Sequence, residues 1–96
     1  MASSEHYFYV LLCADDSFYA GYTTDTLRRE REHNKGIGSK YTKARRPVRM
    51  IYNEVFGSRA EATKAEAAFK KLSRKQKENF LKGRAIGVCS SESNGV

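Results

Sequence analysis

Apolar and aromatic positions in this chain fall into short clusters separated by polar, turn-forming stretches. From Tyr7 to Cys13 nearly every position is aromatic, branched or apolar. The alternation of a half-buried strand is blurred there, and both faces of this first strand are expected to be covered. Asp15 and Asp16 supply turn chemistry, and Phe18 to Tyr22 reads as the returning strand. Because strand side chains alternate faces, Tyr9 and Tyr19 share a face only if the connecting loop has an odd number of residues or carries a bulge. A two-residue Asp-Asp turn would separate them. The odd loop, most simply of three residues, or the bulge is expected.

The spacing then changes to a helical one. Thr24 or Asp25 caps a helix that runs to His33 or Asn34 and is ended by Lys35-Gly36. On it Arg29 and His33 stand four apart and therefore on one face. Leu27 and the stems of its neighbours are expected to cover the sheet. Ser39 to Ala44 predicts one short helical turn, after which Arg46-Pro47 demands extended backbone. Val48 to Val55 reads as a third strand, with Met50, Tyr52 and Glu54 opposite Ile51, Asn53 and Val55. Ser58 followed by Glu61, and Ser73 followed by Gln76, are capping-box patterns. They open helices over about 59–71 and 74–82, the second stopped by Gly83. Ala62, Ala65, Phe69 and Leu72 recur at helical spacing and form one face, its alanines allowing close approach to the sheet. The order is ββα(α)βαα, an α+β domain over residues 6–83 with a three-stranded antiparallel sheet flanked by helices. Residues 1–5 read as a frayed terminus and 84–96, poor in core formers, as a disordered tail.

Composition narrows the class. A chain of 96 residues with 40% hydrophobic content is one globular domain with a modest core. It has no apolar run of membrane-spanning length and no secretory signal pattern near its start, so a cytoplasmic protein is expected. Cys13, inside a strand pattern, and Cys89, in the polar tail, make no metal-binding spacing and read as free thiols. Lys and Arg number 18 against 11 acidic residues, a formal charge of +7. That balance favours polyanionic partners, chiefly nucleic acid. Its distribution says more: Lys35, Lys40, Lys43, Arg45, Arg46 and Arg49 follow one another with no acid between them. Such a cluster repels itself unless something anionic binds there, although a solvated basic loop would look the same.

Tyr9, Tyr19, Gly21, Arg29 and His33 are polar or special residues where a plain core would not require them. Each has an ordinary reading: half-buried strand tyrosines, a bulge glycine, a surface arginine, a histidine at a helix end. Glu66, likewise, could be only the helix ion-pair partner of Lys70. Their order and spacing argue otherwise. Tyr9 in Phe8-Tyr9-Val10 lies ten residues before the Tyr19-Ala20-Gly21 motif. Arg29 follows ten residues after Tyr19, His33 four after that, and Glu66 sits in a later helix beginning Arg59-Ala60-Glu61. In this order the residues resemble the GIY-YIG nuclease superfamily, over residues 7 to about 82. The likeness extends to its small stand-alone bacterial members, whose linker is similar to Ser39 to Val48. The first motif is degenerate, Phe8-Tyr9-Val10 standing for Gly-Ile-Tyr. Tyr22 occupies a position often held by Lys, where it would lie over a base or sugar or close part of the pocket.

The resemblance implies a catalytic set of Tyr9, Tyr19, Arg29, His33 and Glu66, with Gly21 as the structural motif residue. Glu66 would anchor one Mg²⁺ or Mn²⁺, and Arg29 would bind a phosphate oxygen. The first-strand tyrosine is the general base of choice. Free tyrosine has a pKa of about 10, so Tyr9 would need help, and His33, ordinarily titrating near 6.5, would serve as the proton acceptor behind it. The expected activity is Mg²⁺-dependent endonucleolytic hydrolysis of DNA, on nicked, branched or single-stranded forms, as in DNA repair. Lys35, Lys40, Lys43, Arg45 and Arg46 would border the nucleic-acid groove. The alternative is a nucleic-acid-binding module with little or no catalysis, acting with a partner protein; for either reading a protein partner or a weak homodimer is expected. A third reading, a protein-interaction domain, would lack salt-sensitive affinity for nucleic acid.

Overall fold

The computed structural model describes residues 5–84, Arg84 for its backbone alone. The elements are β1 (His6–Leu12), β2 (Phe18–Thr23), α1 (Thr26–Asn34), α2 (Lys40–Lys43), β3 (Arg49–Phe56), α3 (Arg59–Lys70) and α4 (Arg74–Arg84). This is the expected α+β order. The three strands are antiparallel in the order β2-β1-β3, so β1 is central. Its blurred alternation now has a cause: Phe8, Tyr9, Val10 and Leu11 are each at most 1% exposed, because helices or loops cover both faces of the strand.

The two sides of the sheet are built differently. Phe8 and Val10, with Ala20 of β2, pack against Phe69 of α3 and Leu81 of α4. Phe8, Phe69 and Phe80 meet edge-on or tilted at centroid distances of 5.4–6.3 Å, a favoured aromatic geometry. Ala62 is fully buried and Ala65 and Leu72 join the cluster, as their helical spacing predicted. On the other side Tyr9, Leu11, Cys13 and Val48 form a smaller cluster with Tyr19 and Met50 at its margin. The Cys13 thiol is free and buried.

Turn and cap chemistry follow the sequence closely. Leu12 pairs with Phe18, leaving residues 13–17 as a five-residue loop, odd as required, with Asp16 at a φ of 68°. Leu11 pairs with Tyr19 and Tyr9 with Gly21, so the two tyrosines do share a face. The Asp25 side chain caps α1 by accepting from the Arg28 amide, Ser39 caps α2, and Ser58 caps α3. Ser73 and Gln76 close a reciprocal capping box at the start of α4.

Three expectations need correction. β3 does not alternate evenly: Val10 pairs with Tyr52 but Leu11 with Met50, so Ile51 is an extra residue in a bulge. Ile51 and Tyr52 therefore both pack in the α3 cluster, while Met50 turns to the Tyr9 side. Leu27 does not cover the sheet; it is 67% exposed. α1 is instead held by polar side chains. Glu30 accepts from the Met50 amide at 2.9 Å, and Asn34 both accepts from and donates to the backbone of Val48. Finally, α4 continues through Gly83 to Arg84. The tail beyond it, 85–96 including Cys89, and residues 1–4 lie outside the described residues.

Candidate active site

Gly21 makes the site possible. It faces Tyr9 across the β1–β2 ladder, and a Cβ there would lie 2.5 Å from the Tyr9 hydroxyl and 2.6 Å from its ring carbon. Only a glycine lets the phenol fold down over β2. The Tyr9 hydroxyl then lies 2.8 Å from His33 Nε2 and accepts from Arg29 Nε at 3.3 Å. Arg29 and His33 reach one oxygen because they are four apart on α1. The guanidinium is steadied by two further bonds, to Glu32 at 3.0 Å and to the Gly38 carbonyl at 3.2 Å. Among the described residues two of its five N–H groups have no partner, and the side chain is 28% exposed.

His33 is completely buried. Its Nδ1 lies 2.7 Å from Thr42 Oγ1, and Gly38 passes so close that any Cβ there would collide with the imidazole. Tyr19 meets the ring edge-on at 5.1 Å and stacks on Tyr41 at 5.8 Å, and Arg45 lies over Tyr41 at 3.9 Å. The result is a layered wall of His33, Tyr19, Tyr41 and Arg45.

Burial dominates the electrostatics. It pushes the Tyr9 phenol up to about 12; the Arg29 bond and charge oppose this, and Tyr19 and the Glu66 carboxylate add smaller raising effects. It pushes the His33 imidazole down to about 4, helped by the charge of Arg29 and opposed by Glu32. Both groups are neutral at pH 7. This revises the expectation for His33: it is not an eager acceptor, because a buried imidazolium beside Arg29 costs about 3 kcal/mol relative to water.

Glu66 stands apart from the hydrogen-bonded group. It forms the i,i+4 ion pair with Lys70 at 2.7 Å, yet its charge reaches the Tyr9 hydroxyl. Among the described residues no three His, Cys, Asp or Glu side chains gather to hold a metal. A lone, half-buried carboxylate suits a hydrated Mg²⁺, which keeps several waters and takes one or two carboxylates. Of the pair, Lys70 is the more exposed side chain.

The basic residues divide. Arg45 is tied to Asp15 at 3.0 Å and to the Tyr41 carbonyl; Arg46 is tied to the carbonyls of Lys43 and Asn34. Both fasten the loop as well as charging it. Lys35, Lys40 and Lys43 are exposed, and Lys43 and Arg46 line an open depression of about 560 Å³ beside Asn34 and Pro47. Tyr22, next to Gly21, turns to the other face, where it lies 2.7 Å from His6 Nδ1 and under Arg59; it does not close a pocket over Tyr9. Sequence reasoning missed Gly38, Thr42, Glu32 and Tyr41. The Ser39-to-Thr42 spacing of a capped turn was the one available sign of Thr42.

The match to known proteins decides the family. The GIY-YIG catalytic domain matches residues 5–79. This chain belongs to the GIY-YIG family. It is 68% identical over 79 residues to a UPF0213 protein of Listeria monocytogenes, covering 82% of this chain and 88% of that one. A UPF0213 protein of Bacillus subtilis is 52% identical over 81 residues, covering 84% and 82%. Two solution NMR structures share the fold. One is a UPF0213 protein of Bacillus halodurans, 42% identical with a TM-score of 0.58, covering 86% of this chain and 88% of that one. The other, from Enterococcus faecalis, is 63% identical with a TM-score of 0.57, covering 82% and 84%. Among the described residues no helix is long and apolar enough to cross a membrane.

Proposed function

We propose that this GIY-YIG domain is a divalent-metal-dependent endonuclease that hydrolyses DNA phosphodiester bonds. The observation that carries the reading is the buried Tyr9 hydroxyl held between His33 Nε2 and Arg29 Nε, in a family of catalytic domains. Structural packing alone has no need of two polar groups on one desolvated oxygen. Cleavage needs a deprotonated water, a cation where charge develops on phosphorus and help for the leaving oxygen. The free N–H groups of Arg29 bind a non-bridging phosphate oxygen. The Tyr9 oxygen takes the proton of the attacking water while its own proton passes to His33. Tyr19, whose hydroxyl has no hydrogen-bond partner among the described residues, orients that water. Glu66 holds the metal, which when bound neutralises phosphate charge and makes water more acidic.

The depressed basicity of His33 fits this scheme through coupling. Burial is the main cause that disfavours the imidazolium and the Arg29 charge the second; a phosphate docked on Arg29 offsets the second, so proton acceptance improves when substrate is present. Lys35, Lys40 and Lys43 steer and hold the backbone beside the site.

The test is a panel of single-stranded, duplex, nicked and branched DNA plus one RNA, each with Mg²⁺ or Mn²⁺, alongside Glu66→Ala and Arg29→Ala. Metal-dependent cutting of DNA that both substitutions abolish is the expected result. Tight binding whose affinity falls with salt, at a log-log slope of about −0.9 per phosphate on duplex DNA, but without cutting, would replace the nuclease by a binding module.

A further inference from the structure

The deepest polar contact of the site lies behind the histidine, on an element that no catalytic role yet includes. Thr42, on the single turn of α2, is completely buried with its Oγ1 2.7 Å from His33 Nδ1. The same hydroxyl lies 3.0 Å from Ser39 Oγ and donates to the Ser39 carbonyl at 3.3 Å. A carbonyl can only accept, so it is one taker for the single Thr42 proton, beside Ser39 Oγ and His33 Nδ1. With that proton given to Ser39, Thr42 Oγ1 accepts, and the partner at 2.7 Å supplies the proton. That requires an Nδ1–H imidazole, whose Nε2 is a bare lone pair aimed at the Tyr9 hydroxyl 2.8 Å away.

We propose that Thr42 is a positioning residue that fixes His33 as the Nδ1–H tautomer and so presents Nε2 as the acceptor for the Tyr9 proton. The catalytic part of this proposal rests on the nuclease reading; the tautomer does not. With its proton directed at Nε2 and one lone pair taken by Arg29, the Tyr9 oxygen keeps one lone pair for the proton of a water. In the opposite tautomer Nε2–H would fill that lone pair, and Tyr9 would have nowhere to pass its proton. Gly38 assists by letting the backbone lie against the ring, and Ser39, the cap of α2, holds Thr42 in place. The charged and titratable groups around the imidazole are Tyr9 from β1, Tyr19 from β2, and Arg29 and Glu32 from α1; α2 adds the neutral Thr42 and the phenol of Tyr41. Among the described residues Thr42 Oγ1 is the hydrogen-bond partner of Nδ1, so that is where the proposed tautomer is set.

Long-range ¹H–¹⁵N correlation spectra of the imidazoles read the tautomer directly, and His6→Gln isolates the His33 signals. In the otherwise wild-type chain at pH 7 the expected result is a protonated Nδ1 and an unprotonated Nε2. An Nε2–H ring would overturn the proposal, whatever the outcome for catalysis. Thr42→Val, which removes the hydroxyl at constant shape, is expected to shift the ring toward Nε2–H, and Thr42→Ser to restore Nδ1–H. On the cleaved substrate Thr42→Val should lower kcat roughly 10- to 100-fold, the scale seen when the partner orienting a functional histidine is lost, with KM little changed. Retention of Nδ1–H in Thr42→Val, or a kcat loss that Thr42→Ser fails to recover, would reduce Thr42 to a packing residue. A wild-type chain that cuts nothing yet shows Nδ1–H would refute the nuclease reading and leave the tautomer assignment standing.

Discussion

Adjacent residues of β1 serve two different interiors. Phe8 and Val10 enter a core of aromatic and aliphatic side chains closed by α3 and α4; Tyr9, between them, enters a smaller interior where Leu11, Cys13 and Val48 adjoin the polar groups of α1 and α2. The first side gains its stability from area removed from water. The second removes a phenol, an imidazole and a threonine hydroxyl from water and recovers the cost only by pairing them with one another and with Arg29 and Ser39. The comparison separates fold from chemistry: one side holds the sheet in place through its apolar core while the other keeps reactive groups buried, neutral and fixed.

The largest effect separating the two sides is on stability. Phe69→Ala empties the centre of the apolar cluster and should cost about 3–5 kcal/mol, measured by urea denaturation. Should it cost less than 1 kcal/mol, the α3 side is not the stabilising one.

A smaller effect marks the polar side through pH. The folded His33 titrates at about 4, below the ordinary value of about 6.5, so the unfolded chain takes up the proton first as pH falls. Its contribution is fully present above pH 7 and is lost between pH 6.5 and 4, by about 3 kcal/mol. His33→Gln cannot titrate and should lose less stability across that window than the wild-type chain, by the urea midpoint at each pH. Parallel curves would mean that the imidazole is not desolvated. The smallest effect is expected outside both interiors: Leu27→Ser, at an exposed position, should change stability by no more than about 0.5 kcal/mol.

Local chemistry was legible from sequence wherever it is set by neighbours in the chain. Asp25, Ser58 and Ser73 cap helices because their side chains reach amides three residues on. The shared face of Tyr9 and Tyr19 follows from strand parity and an odd loop. The grouping of Tyr9, Arg29 and His33 followed from family spacing. What was not legible depends on contacts distant in sequence. The bulge at Ile51 answers to the packing of α3, and nothing within β3 announces it. A leucine on an amphipathic helix usually faces the core, which would point Leu27 at the sheet, whereas α1 docks through Glu30 and Asn34 on the backbone of residues 48–50. The same limit hid the Asp15 partner of Arg45 and the Asn34 carbonyl that holds Arg46. Burial of His33 reversed its expected basicity, and no local pattern encodes burial.

The most direct test of the account is single-turnover cleavage by Tyr9→Phe, measured beside DNA affinity and thermal stability. Removing one oxygen leaves the ring, the sheet and the basic surface intact. Cleavage should fall at least 100-fold, in the range of general acid-base contributions, while affinity stays within a few-fold and the fold remains. Cleavage at the wild-type rate by a folded Tyr9→Phe protein would contradict the claim that this buried hydroxyl is where the chemistry happens.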